Sequence, residues 1–141
     1  MNNIIFEKVW QDSDLIELKI TAISEFVTAY QSCYVQNNNL EEISEKIRKY
    51  SQLYNEDCYV EFGKKNGDYT PAFSMKIMKP DISGHLKIEV DVEIDDINNR
   101  SHRCCYYVES ELGTIDKLWA KLNKLIADDV GGKVSLYSNE L

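Results

Sequence analysis

From Leu86 to Asp95 the chain alternates without a break, with Leu86, Ile88, Val90, Val92 and Ile94 on one parity and Lys87, Glu89, Asp91, Glu93 and Asp95 on the other. A period of two predicts a strand with one buried and one wet face, the habit of antiparallel sheets. Cys58, Val60 and Phe62 repeat the pattern, as do Phe73, Met75 and Ile77. Between these two runs Lys65-Asn66-Gly67-Asp68 carries the Asn-Gly pair that tolerates the positive φ of a tight hairpin. Pro80 to Gly84 predicts the next turn, and 95 to 100 turn the chain into a strand over 101–109. A register pairing Glu93 with Arg103 also pairs Val92 with Cys104 and Val90 with Tyr106. Both faces are then satisfied at once, so a slip by one residue is disfavoured.

The first third reads the same way. Ile16, Leu18, Ile20 and Ala22 alternate with Glu17, Lys19 and Thr21, and residues 4 to 10 and 26 to 36 are rich in apolar, β-branched and aromatic side chains. A three-strand meander is the simplest arrangement. The period then changes: Leu40, Ile43, Ile47, Tyr50 and Tyr54 form one stripe of a helix over 40–54, with Asn39 as its cap and Glu42 completing the exchange. A second helix is expected over about 114–127, carrying Ile115, Leu118, Trp119, Leu122, Leu125 and Ile126, capped by Thr114 and with Lys121 and Lys124 near its end. Gly131-Gly132 releases a short strand-like tail. The order βββαββββα over 1–141 predicts one α+β domain: an antiparallel sheet of about six to seven strands with two amphipathic helices packed on one face.

Charge narrows the choice of partner. With 24 Asp+Glu against 16 Lys+Arg the formal net charge is −8, and no Lys/Arg-rich run is present. Nucleic acid and anionic membrane surfaces both need clustered positive charge, so neither is an expected partner, whereas a cationic protein would be electrostatically favoured. The first residues show no signal-peptide pattern, and no 18-residue apolar window predicts a transmembrane helix. Cys33, Cys58, Cys104 and Cys105 have no C-x-x-C spacing and read as thiols in a reducing cytoplasm.

Chemistry is harder to find. The carboxylate row Glu89, Asp91, Glu93 and Asp95 is the most conspicuous feature, but alternate residues on a strand stand about 7 Å apart, too wide for one small metal ion unless other strands contribute. A solvated face with cross-strand partners such as Arg103 accounts for the row, and so does an acidic binding face relieved by a basic partner. His85 and His102 lack any spacing diagnostic of a metal site, so no metal is expected. Alternation places Cys104 and Cys105 on opposite faces, and free Cys usually serves as a small core residue. Gly63 to Gly67 lacks the rest of a phosphate loop. No nucleophile or cofactor motif appears; neither catalysis nor a cofactor is expected. Nine tyrosines, among them Tyr59 and Tyr107 on the outward parity, suit either a protein interface or an ordinary sheet surface.

Several segments taken together carry a resemblance. Glu61-Phe62-Gly63, Phe73-Ser74-Met75 and Gly84-His85-Leu86-Lys87-Ile88-Glu89-Val90 are followed by Cys105-Tyr106-Tyr107-Val108 and by Glu111-Leu112-Gly113 with Ile115-Asp116, then a helix reaching Leu122. Over roughly residues 8 to 127 this resembles small bacterial WapI-like proteins, a family associated with immunity to polymorphic, contact-dependent toxins. The shared segments are strand and turn patterns, with Gly84 as a turn residue and Glu111 at a helix start, so they transfer no catalytic role.

The resemblance implies a stoichiometric binder that neutralises a basic toxin domain, such as a nuclease. Glu89, Asp91, Glu93 and Asp95 would then supply charge complementarity, with Arg103 and Tyr107 as anchoring members. Two other readings compete with it. One is a small-molecule-binding or enzymatic domain with a pocket between sheet and helices, marked by converging His85, His102 or carboxylates. The other is a homodimer joined through a sheet edge or face, with no further activity.

Overall fold

The computed structural model describes residues 2–63, 72–95 and 101–137, the side chains of 72, 94, 95 and 101 excepted. The predicted Asn66-Gly67 turn therefore lies outside the described residues. The chain begins with β1 (Asn3–Gln11), β2 (Leu15–Ile23) and β3 (Thr28–Gln36), then α1 (Asn37–Leu53). Next come β4 (Cys58–Phe62), β5 (Ala72–Ile77), β6 (His85–Asp95) and β7 (Ser101–Glu111), and finally α2 (Leu112–Ala127) and β8 (Lys133–Ser135). The α+β class is as expected, and so is the meander β1-β2-β3. The single wide sheet is not: among the described residues the strands form two antiparallel four-stranded sheets, ordered β3-β2-β1-β8 and β4-β5-β6-β7.

The correction has a simple cause. Alternation says that each strand buries one face, not what buries it, and a second sheet serves as well as a helix. Here α1 interrupts the chain between β3 and β4, and the two sheets meet through their apolar faces. Phe6 of β1 lies with its ring centroid 5.4 Å from that of Phe62 of β4. The Tyr106 hydroxyl of β7 donates to the Ala22 carbonyl at 2.6 Å and accepts the Ala29 N–H at 3.1 Å, so one side chain from the second sheet bridges two strands of the first. The two helices pack against the sheets as well. Their stripes, Leu40, Ile43, Ile47 and Tyr50 on α1 and Ile115, Leu118, Leu122 and Leu125 on α2, join the same core as both sheets. They also touch each other, with Ser44 Oγ donating to the Trp119 carbonyl at 2.7 Å.

Both predicted helix starts move. α1 begins at Asn37 behind an extended Gln36 and α2 at Leu112 behind Glu111, and neither first turn has a side-chain cap. Asn39 and Thr114 are therefore inside helices, not caps. At α2 the start is held by the backbone, where Leu112 N–H donates to the Gly84 carbonyl at 2.9 Å. Gly84 itself stands at φ +86°, a conformation that explains the turn residue between β5 and β6.

One charged residue is fully buried in the first sheet. Lys8 shares the inward parity of Ile4 and Phe6, and its side chain is 0% exposed. Its ammonium has three donors and three acceptors: Gln11 Oε1 at 2.9 Å, the Ile126 carbonyl at 2.9 Å and the Asp128 carbonyl at 2.6 Å. It therefore closes the C-terminal end of α2, where unpaired carbonyls favour a cation. Burial pushes its pKa below the usual lysine value, opposed by Asp128 and Asp129 nearby. A register shift between Lys8 and Trp10 then sets Trp10 opposite Glu17, on the outer face, where unbroken alternation from Lys8 would have turned it inward.

Candidate functional site

The outward face of the sheet β4-β5-β6-β7 brings together most of the residues singled out in the sequence. The β6–β7 register is the predicted one: Glu93 opposes Arg103, Val92 opposes Cys104 and Val90 opposes Tyr106. Across the sheet, Tyr59, Lys76, Glu89 and Tyr107 form one row and Glu61, Ser74, Asp91 and Cys105 the next. Asp95 pairs with Ser101 through the backbone. Its side chain lies outside the described residues, so its predicted place in the acidic row has no geometry here.

Backbone register and ionic pairing part company at Arg103. Its guanidinium does not settle on Glu93, directly opposite, but reaches diagonally to Asp91, with Nε to Oδ1 at 3.1 Å and Nη2 to Oδ2 at 2.6 Å. This two-pronged geometry is the strong form of an arginine–carboxylate pair. The two ends differ in exposure: the Asp91 side chain is 11% exposed and that of Arg103 59%. Donating these hydrogen bonds to Asp91, and lying close to its charge, raises the arginine pKa further. Asp91 is thus engaged within the sheet, which leaves the charge of Glu89, Glu93 and Glu61 to dominate the outer surface.

The tyrosines on this face are orientated by those acids. The Tyr107 hydroxyl donates to Glu89 Oε2 at 3.0 Å, and the Tyr59 hydroxyl to Glu61 Oε2 at 2.7 Å. Hydrogen bonding and proximity to Glu89 raise the Tyr107 phenol pKa, so the ring stays a neutral donor near neutral pH. Both rings remain exposed. Glu61 and Lys76 are not among the binding residues that the sequence suggests, although the inward run Cys58, Val60, Phe62 assigns Glu61 outward by parity.

Other candidates are scattered. His85 opposes Glu111 and His102 opposes Ile94, so the two imidazoles occupy opposite ends of the β6–β7 pair. Among the described residues no group of three or more His, Cys, Asp or Glu side chains could hold a metal ion. The four cysteines remain thiols, with Cys33 and Cys58 buried, Cys104 half-buried and Cys105 exposed. Burial pushes the Cys33 thiol up to about 12 and raises that of Cys58, the opposite of an activated nucleophile. No described helix is long and apolar enough to cross a membrane. Compared with known proteins, the chain matches no family model, no curated protein and no solved structure.

Proposed function

We propose that this chain is a non-enzymatic binding protein, an immunity protein in the manner of the WapI-like family it resembles. In this reading it occludes a basic toxin domain with the outer face of β4-β5-β6-β7. The observation that carries the reading is the combination on that face of outward carboxylates, Glu61, Glu89 and Glu93, with two exposed tyrosines already held by them. An acidic surface speeds encounter with a basic partner, while Tyr and Arg are the residue types that supply anchoring contacts. Asp91 and Arg103 serve chiefly to tie β6 to β7 through their ion pair, and Tyr107 supplies the contact ring.

The test is capture of partners from the native cell lysate on a tagged copy, run beside the variant Glu89→Lys with Glu93→Lys, which spares the Asp91–Arg103 pair. A single basic partner held in one-to-one ratio by the parent protein and lost from the variant supports the reading. A partner held equally by both proteins would move the interface to another surface, and absence of any specific partner would reject the proposal.

A further inference from the structure

We infer that the outer edge of β7 is a self-association surface, on which β7 of a second copy adds antiparallel and joins the two β4-β5-β6-β7 sheets into one. A sheet edge carries a row of backbone donors and acceptors that recruits another strand unless it is blunted by shortness, a lysine or proline, a bulge or a cover. Among the described residues, three of the four edges are blunted in identifiable ways. β8 has three residues. β4 has five, and Lys46 Nζ of α1 donates to its Tyr59 carbonyl at 2.8 Å. β3 lies against the strands of the second sheet, with its Ala29 N–H taken by the Tyr106 hydroxyl at 3.1 Å. β7 is the exception: it runs for eleven residues, without lysine or proline, in unbroken register with β6. No described strand lies on its other side.

The backbone fixes which residues face that edge. Asn2 Oδ1 accepts the Glu109 N–H at 3.1 Å, so this amide points away from β6. Lys87, opposite Glu109, turns the other way, its carbonyl accepting the Met78 N–H at 3.0 Å on the β5 side. The two-residue repeat of a strand then aims the backbone groups of Tyr107 and Arg103 at the edge as well. Because Asn2 already closes the edge at Glu109, a second β7 must pair short of it. Two registers do so. A two-fold axis at Cys104 sets the two Arg103 side chains on the diagonal, where like charges repel. An axis at Cys105 instead sets Arg103 of each copy beside Tyr107 of the other and diagonal to its Glu109. Arg103 and Tyr107 exchange both backbone bonds there, and each guanidinium lies near the second copy's Tyr107 ring and the Glu89 carboxylate that holds it. That charge match, made twice by one symmetry operation, is what selects a second copy as the occupant.

The test uses the purified full chain alone, so its outcome is independent of the partner-capture result. Sedimentation velocity over rising concentration should show a reversible monomer–dimer equilibrium. Amide hydrogen exchange at Arg103 and Tyr107 should slow as the dimer fills, while Glu109, already bonded to Asn2, stays protected at every concentration. Tyr107→Lys sets like charges opposite one another twice across the axis and should weaken dimerisation about tenfold or more. Tyr34→Lys, an exposed tyrosine on the first sheet, should change it less than about twofold. A monomer at every concentration would overturn the inference. So would a dimer indifferent to Tyr107→Lys, or one whose newly protected amides lie elsewhere, such as on β3.

Discussion

The two sheets turn chemically different outer faces to solvent, although the same alternation built both. On β3-β2-β1-β8, Glu7 stands in register between Lys19 and Lys133, and the aromatic rings engage one another or a cation. Trp10 and Tyr34 meet edge to face at 6.1 Å, and Lys19 Nζ sits 4.8 Å over the ring of Tyr30. On β4-β5-β6-β7 the tyrosines instead spend their hydroxyls on carboxylates, and acids outnumber bases: Glu61, Glu89, Asp91, Glu93, Glu109 and Glu111 against Lys76, Lys87 and Arg103. An aromatic residue on a sheet surface therefore says little until its neighbours are known. Satisfied by other rings it is surface packing, and tethered to a carboxylate it is a presented donor and contact plate.

The sharpest way to break the comparison is at the charged group each sheet depends on. Lys8 in the first sheet is buried and holds three acceptors, so Lys8→Ala should cost about 3 kcal/mol in denaturant unfolding by stranding the α2 carbonyls. A cost under about 1 kcal/mol would show that water replaces the ammonium there.

Next in size is the difference in binding between the faces. Glu89→Lys with Glu93→Lys should weaken partner affinity about a hundredfold, near 2.7 kcal/mol, whereas Glu7→Lys with Glu17→Lys on the first sheet should change it less than about threefold. Equal losses, measured by titration calorimetry against the captured partner, would erase the distinction between the faces.

Alkaline pH acts on the buried thiols of both sheets, Cys33 on β3 and Cys58 on β4. Cys33 on β3 keeps its proton in the folded state to about 12, against 9.0 for an unperturbed thiol. Above pH 9 the unfolded chain releases this proton while the folded chain retains it, so stability falls as pH rises from 9 toward 12. At pH 10 the loss should be about 1.4 kcal/mol, and Cys33→Ala should flatten that slope, read from unfolding curves at several pH values. Tyr50, raised to about 12 by burial beside Cys58 and Asp57, steepens the same decline above pH 10. Exposed Cys105 on the second sheet should react with a thiol reagent in the folded protein, while Cys33 should react only on unfolding.

The smallest effect is expected at the second sheet's own ion pair. Asp91→Asn should cost about 1 kcal/mol, because Arg103 is mostly exposed and can be rehydrated. The same variant should weaken partner binding less than the Glu89, Glu93 reversal does. A larger loss at Asp91 would mean that its carboxylate contacts the partner directly.

Much of the second sheet was legible one residue at a time. A strict period of two on β6 and a mixed one on β7 admit few registers that bury Val90, Val92 and Tyr106 together, and the observed pairing is the one those constraints select. The acidic row was equally legible as parity, since side chains on alternate positions must share a face. Parity could not show which acid Arg103 would choose, because a long side chain reaches the diagonal neighbour as easily as the opposite one. Nor could it reveal Lys8 as a core residue. Its inward parity was visible, but a buried ammonium is tolerable only where three acceptors converge, and two of those come from the end of α2, far away in the chain.

By itself the sequence determined the strands, the two amphipathic helices, the meander, the β6–β7 register and the net acidity, all properties of local period and composition. Tertiary structure alone decided that the strands split into two facing sheets, that α2 ends on a buried lysine, that Asp91 is engaged by Arg103, and that Asn2 takes the Glu109 N–H at the edge of β7. The reason is the same in each case: periodicity reports that a face must be covered or a charge satisfied, and only the folded chain brings the distant group that does so.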